Sequence, residues 1–171
     1  MNPRRTLVFY ISGHGFGHAS RAIEVINALV ARRADLRIII RSSVAPWLVE
    51  RTVQPGVELA ALEVDTGVVQ IDSLHLDAPA SVRRAAAFLS TLPDRVAAEV
   101  AFLRECNAAL VVADLPPLGI AAAAAAGLPA IALGNFTWDW IYEHYQGGAA
   151  VAREIGEDRK STRLNSSHAN I

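Results

Sequence analysis

Two histidines stand within a run of glycines, Gly13-His14-Gly15-Phe16-Gly17-His18, where side chain and backbone could act on one ligand. An imidazole titrates near neutral pH and can take a proton from a hydroxyl held within hydrogen-bonding reach. Glycines permit positive φ and turn backbone amides outward. A helix beginning there would add roughly half an elementary positive charge, so a phosphate or oxyanion could sit against those amides. A carboxylate that steadies the imidazolium would complete the base, and Asp114, just after the apolar run Ala109 to Ala113, is the candidate. Each group also has a plainer reading. His18 could donate to a backbone carbonyl, Asp114 could cap the helix announced by Pro116 and Pro117, and the glycines could serve the turn alone.

Other candidates are weaker. A dinucleotide fingerprint wants glycine where His18 stands and an acidic residue after the second strand, whereas Arg41, Ser42 and Ser43 are found there. No lysine followed by serine or threonine closes the glycine run, so a P-loop fails as well. Asp65, Asp72 and Asp77 lie on a polar stretch at spacings that match no recognised ligand set, and are expected to be solvated loop carboxylates with no metal. Phe136, Trp138, Trp140, Tyr142 and Tyr145 suit sugar stacking, or equally a core or interdomain face at a strand end. His75 and His144 have no recognisable partners, and the single cysteine, Cys106, reads as packing.

The elements that must position these groups alternate. Leu7 to Ser12 reads as a strand, Ala19 to Arg33 as a helix with Ile23, Ile26, Leu29 and Val30 at helical spacing, and Leu36 to Ile40 as a buried strand. A short helix over Ala45 to Val53 and a strand near Val57 to Val64 follow, then a long polar connection from Asp65 to Ala80 that suits a substrate loop. Ser81 to Asn107 is helical but divided at Pro93, which can open a helix yet breaks its interior. Ala109 to Ala113 and Ala130 to Leu133 read as strands around a helix from Leu118 to Ala126, whose alanine run suggests burial against the sheet. The alternation predicts an α/β fold, an open Rossmann-like parallel sheet with helices on both faces, and ligands at the carboxyl ends of its strands.

Composition agrees with one globular domain: 171 residues, 52% hydrophobic and 19% charged. A net charge of -1 gives no global argument for nucleic acid or an anionic membrane. The apolar run after Arg4 and Arg5 is too short for a signal peptide, and no stretch has membrane-spanning length, so a cytoplasmic protein is the default expectation.

Tyr10 to Arg21, with the glycine run at its centre, resembles the opening motif of the glycosyltransferase-like amino-terminal domain of plant L-arabinokinases and related bacterial proteins. Gly67-Val68-Val69-Gln70 with Asp72 and Asp77, Val111 to Asp114 with Pro116, and Asn135 to Tyr142 follow in that family's order, so the resemblance covers roughly residues 5 to 145. More distantly, Gly15 to His18 is similar to a loop of GT-B glycosyltransferases that use nucleotide sugars. The resemblance implies the amino-terminal half of a GT-B fold, with His18 as general base, His14 as its understudy and Asp114 orienting the base. It further implies a substrate site built from Gly13, Gly15, Phe16, Gly17, Arg21, Gln70, Asp72, Asn135, Trp138 and Asp139. No cofactor is implied: the donor nucleotide sugar would be held mainly by a second, carboxyl-terminal GT-B domain, and a sugar or glycosylated acceptor by this half, which alone should be inactive. The alternatives are a non-catalytic sugar-binding module attached to a sugar kinase and a nucleotide-sugar epimerase of GT-B fold. Asp158 to His168 matches one frame of a common sequencing-library adapter, so a domain over 1–157 and an artefactual tail over 158–171 are expected.

Overall fold

The computed structural model describes residues 4–114, 116–134 and 136–163, with side chains as far as Glu157. Its centre is a parallel sheet of five strands: β1 Arg5–Ile11, β2 Leu36–Ser42, β3 Glu58–Ala61, β4 Ala108–Asp114 and β5 Ala130–Ala132. Their order is β3-β2-β1-β4-β5. Around it run α1 Gly15–Arg32, α2 Pro46–Thr52, α3 Ala78–Ser90, α4 Leu92–Glu105, α5 Pro117–Ala126, α6 Trp138–Glu143 and α7 Ala149–Arg163. This is the expected α/β, Rossmann-like arrangement.

Successive strand residues point to opposite faces, and both faces of β1 are buried. Leu7, Phe9 and Ile11 meet Ala19, Ala22, Ile23 and Ile26 of α1 and Leu48 and Val49 of α2. Val8 and Tyr10 meet Leu103 of α4 and Ala122 and Ala123 of α5, so part of the alanine run is indeed pressed against the sheet. On this second face Tyr10 donates to Glu99 Oε2 at 2.7 Å, and Arg41 holds the same carboxylate while its guanidinium lies 4.1 Å over the Phe102 ring. The hydroxyl and the guanidinium together make burial of Glu99 tolerable. A third cluster joins Phe88 and Leu89 of α3, Leu118 of α5, Trp138 and Tyr142 of α6, and Val151 and Ile155 of α7.

Several boundaries moved for local reasons. β3 stops at Ala61 because its partner β2 ends opposite it at Ser42; Leu62 takes one more bond, to Ser42 O at 3.0 Å. α1 begins at Gly15, earlier than the expected Ala19, so the glycine run winds directly into the first helical turn. α3 begins at Ala78 because Asp77 is its cap, accepting from the Ala80 amide at 2.8 Å, with Pro79 in the first turn. Pro93 opens α4, as its position predicted. α7 continues across residue 157 to Arg163, and the remainder of the expected tail, 164–171, lies outside the described residues. Among the described residues no helix is long and apolar enough to cross a membrane.

Candidate active site

The chain leaves β1 for β2 and β3 on one side of the sheet, then returns to place β4 and β5 on the other. The strand order therefore reverses between β1 and β4, where α/β sheets open a crevice at their carboxyl ends. Asp114, the last residue of β4, pairs with Ile11 at the end of β1, and His18 lies in the first turn of α1 just beyond. His18 Nδ1 meets Asp114 Oδ2 at 2.7 Å, with side-chain exposures of 11% and 1%. Arg21, one helical turn further, takes Asp114 Oδ1. Asp114 thus spends its oxygens on an imidazole and a guanidinium; α5 is preceded by Pro116 and has no side-chain cap. With Nδ1 donating to the carboxylate, Nε2 keeps the lone pair and is the basic nitrogen.

Asp65 corrects the expectation of a solvated loop carboxylate. Its residue is 8% exposed, and it accepts from Ser12 Oγ and from Trp138 Nε1, each at 3.0 Å. Burial pushes its carboxyl from the ordinary 3.8 to about 6; the two donors and His18 pull the other way, and Asp114 adds to the rise. Asp77 is also no free loop carboxylate, being the cap of α3. Sequence reasoning had placed Asp65 among the residues after a strand, which was the usable signal; its donors are 53 and 73 positions away.

His14 donates its amide to Ser12 Oγ at 3.2 Å, and its ring lies edge-on to Trp138. Burial, then the neighbouring His18 and Arg84, lower its pKa. Gly67, at φ 56°, comes so close that a Cβ there would stand 2.5 Å from the His14 ring. Gly13 packs against Ser43 in the same way, with 2.0 Å between its notional Cβ and the Ser43 hydroxyl. Gly15, Phe16 and Gly17 are exposed, and the Phe16 ring lies 6.0 Å from that of Trp47, which sequence reasoning did not single out.

The remaining expected site residues are more scattered. Trp138, Trp140 and Tyr142 are on a helix, with Phe136 before it and Tyr145 after it, so Trp138 and Tyr142, four apart, share the buried face while Trp140 is exposed. The Trp138 indole faces the His18 imidazole, centroids 6.1 Å apart at 27°, and Phe136 meets the same imidazole edge-on. Asp139 lies beside Gly156 of α7. Gln70 is exposed and bridges to Leu76, and Asp72 accepts from the amides of Leu74 and His75 within the same hairpin. His75, expected to be without a partner, meets Asp72 at 2.9 Å, and the exposed His144 meets the Trp140 carbonyl. Asn135 lies outside the described residues. Among the described residues no group of three or more His, Cys, Asp or Glu is placed to hold a metal.

No family model matches the chain. L-arabinokinase of Arabidopsis thaliana is 32% identical over 160 residues, which are 88% of this chain but only 15% of that protein's length. Among solved structures, the glycotransferase of kitacinnamycin aligns with 98% of this chain and 43% of its own, at a TM-score of 0.56 and 19% identity. The calicheamicin glycosyltransferase CalG4 aligns with 98% and 46%, at 0.55 and 17%. The glycosyltransferase SnogD from Streptomyces nogalater aligns with 93% and 40%, at 0.53 and 20%. At such identities the structural likeness speaks for the fold, and in each case the chain spans less than half of the solved protein. Taken with the sequence homology, it makes the chain a GT-B glycosyltransferase-like domain related to L-arabinokinase.

Proposed function

We propose that this domain is the acceptor-binding half of a nucleotide-sugar-dependent glycosyltransferase, in which His18 is the general base and Asp114 orients it. The observation that carries the reading is the 2.7 Å contact between His18 Nδ1 and a buried Asp114 oxygen at the switch point of the sheet. A hydroxyl is a poor nucleophile at neutral pH until a base accepts its proton. His18 Nε2 takes that proton while the acceptor oxygen bonds to the anomeric carbon, and the sugar's bond to the nucleoside diphosphate breaks, its electrons leaving with the diphosphate. Asp114 fixes the tautomer and stabilises the imidazolium. The amides of the exposed residues Gly15 to Gly17, at the start of α1, receive a polar group of the substrate, and a second domain holds the donor.

The test is steady-state kinetics in the full-length gene product, using a panel of nucleotide sugars and sugar acceptors. His18→Ala should lower turnover by roughly two to four powers of ten. Asp114→Asn should lower it less and add little to His18→Ala, because it acts through the histidine. Near-normal turnover in a folded His18→Ala protein, with folding checked by circular dichroism, would transfer the role to His14 or end the catalytic reading. The second reading is a non-catalytic sugar-binding module, favoured by the relative's being a sugar kinase by name. It predicts saturable sugar binding with no transfer from any donor.

A further inference from the structure

One buried carboxylate at the crevice, Asp65, is left without a part in that chemistry. Asp65 joins the end of β1, through Ser12, to the start of α6, through Trp138. Ser12 in turn receives the His14 amide, and Trp138 lies against both imidazoles, face to face with His18 and edge-on to His14. The charged and titratable groups around it are His18, Arg21 and Asp114 across the crevice, His14 in the glycine run, and Tyr142 with Arg84 behind. Arg21 pairs with Asp114 and Arg84 with Glu63, while both donors to Asp65, Ser12 and Trp138, are uncharged, so the negative charge of Asp65 is left to face the proton that His18 takes up.

We propose that Asp65 is a positioning residue of this site: its carboxylate holds the Trp138 indole against the His18 imidazole and, with Asp114, balances the proton that His18 accepts. The positioning rests on the geometry alone; the proton balance rests on the function proposed above. Because burial sets its titration near 6, the carboxylate form prevails above that pH and is lost below it.

The test uses the whole 171-residue chain, labelled with 13C and 15N, in the wild type and in His18→Gln, which removes the His18 imidazolium, with the His14 ring signals followed in the same titration so that its own contribution to the indole is separated. The Trp138 indole proton should move upfield on acidification with the same midpoint, near 6, as the Asp65 carboxyl carbon, because a charge-assisted bond weakens as its acceptor is neutralised. In Asp65→Asn the pH-dependent movement should vanish and the His18 ring signals should shift. An indole proton that does not follow Asp65 in either protein overturns the proposal, and does so even if Asp65→Asn fails to fold. In the full-length product, Asp65→Asn should lower kcat by about 10- to 100-fold with KM changed less than about twofold, and should remove an acid limb near 6 from the pH profile. An unchanged kcat with a moving indole would refute the proton balance and leave the positioning standing. Normal turnover in His18→Ala would refute the transferase reading separately.

Discussion

Asp65→Asn replaces a group that the fold must strip of water by one that never ionises, and the cost of the charge can be read from pH. The Asp65 carboxyl is raised from 3.8 to about 6 because burial opposes the charge more than the Ser12 and Trp138 donors favour it. That is a rise of about two units at about 1.4 kcal/mol each, so ionised Asp65 costs the native state about 3 kcal/mol relative to its protonated form. Between 3.8 and about 6 the native protein holds more protons than the unfolded chain. The stability associated with this group is therefore fully present below 3.8 and lost as pH rises through about 6. Asparagine contributes only a pH-independent term for whichever donor it leaves unpaired. The unfolding free energy of Asp65→Asn minus that of the wild type should rise by about 3 kcal/mol from about pH 3.5 to about pH 7.5. For a domain of this size this is about 6 to 12 °C in the Tm difference. Thermal and urea unfolding followed by circular dichroism at closely spaced pH values would measure it. A difference that stays flat across this range would show that Asp65 ionises like a solvated aspartate, and the burial argument would be wrong.

Four further substitutions test the packing. Gly119→Ala should destabilise by about 1 to 3 kcal/mol in urea unfolding, although alanine is the better helix former, because a Cβ on α5 would stand 2.6 Å from the Tyr10 ring. Gly67→Ala should move the His14 ring signals and cost about 1 to 3 kcal/mol, since φ is 56° and His14 occupies the Cβ position. Arg41→Ala leaves the Glu99 carboxylate buried with only the Tyr10 hydroxyl, and should cost about 3 to 5 kcal/mol by the same assay. Tyr10→Phe leaves the guanidinium in place and should cost about 1 to 2 kcal/mol.

The His18 and Asp114 pairing was legible because both follow apolar runs, and the right-handed alternation of strand and helix sends such positions to one edge of the sheet. The five strands were legible for the same reason, since buried parallel strands read as continuous apolar runs. Asp65 was misread because nothing near it in the chain reveals that Ser12 and Trp138 close over it. The α6 aromatics were misread because alternating large residues suggest a strand, and only the helical period shows that Trp138 and Tyr142 share a face which Trp140 does not. Asp77 could have been read as a cap from the proline two residues later; its place in an otherwise polar stretch hid it. Trp47 gave no signal until the fold brought it beside Phe16.

The bonds that define the site join residues 53, 73 and 96 positions apart. Such contacts form only after large loops have closed, which slows folding. β1, β2 and β3 lie within the first 61 residues and can pair among themselves, whereas β4 must reach the other side of β1 from beyond residue 107. In a chain caught between those events, His18 has no Asp114, and one side of the central strand presents a bare row of amides and carbonyls flanked by apolar side chains. An edge of that kind is a template for another chain. Docking of β4 therefore brings Asp114 to His18 and covers that edge in one step, so that the His18 to Asp114 contact reports the end of that exposure.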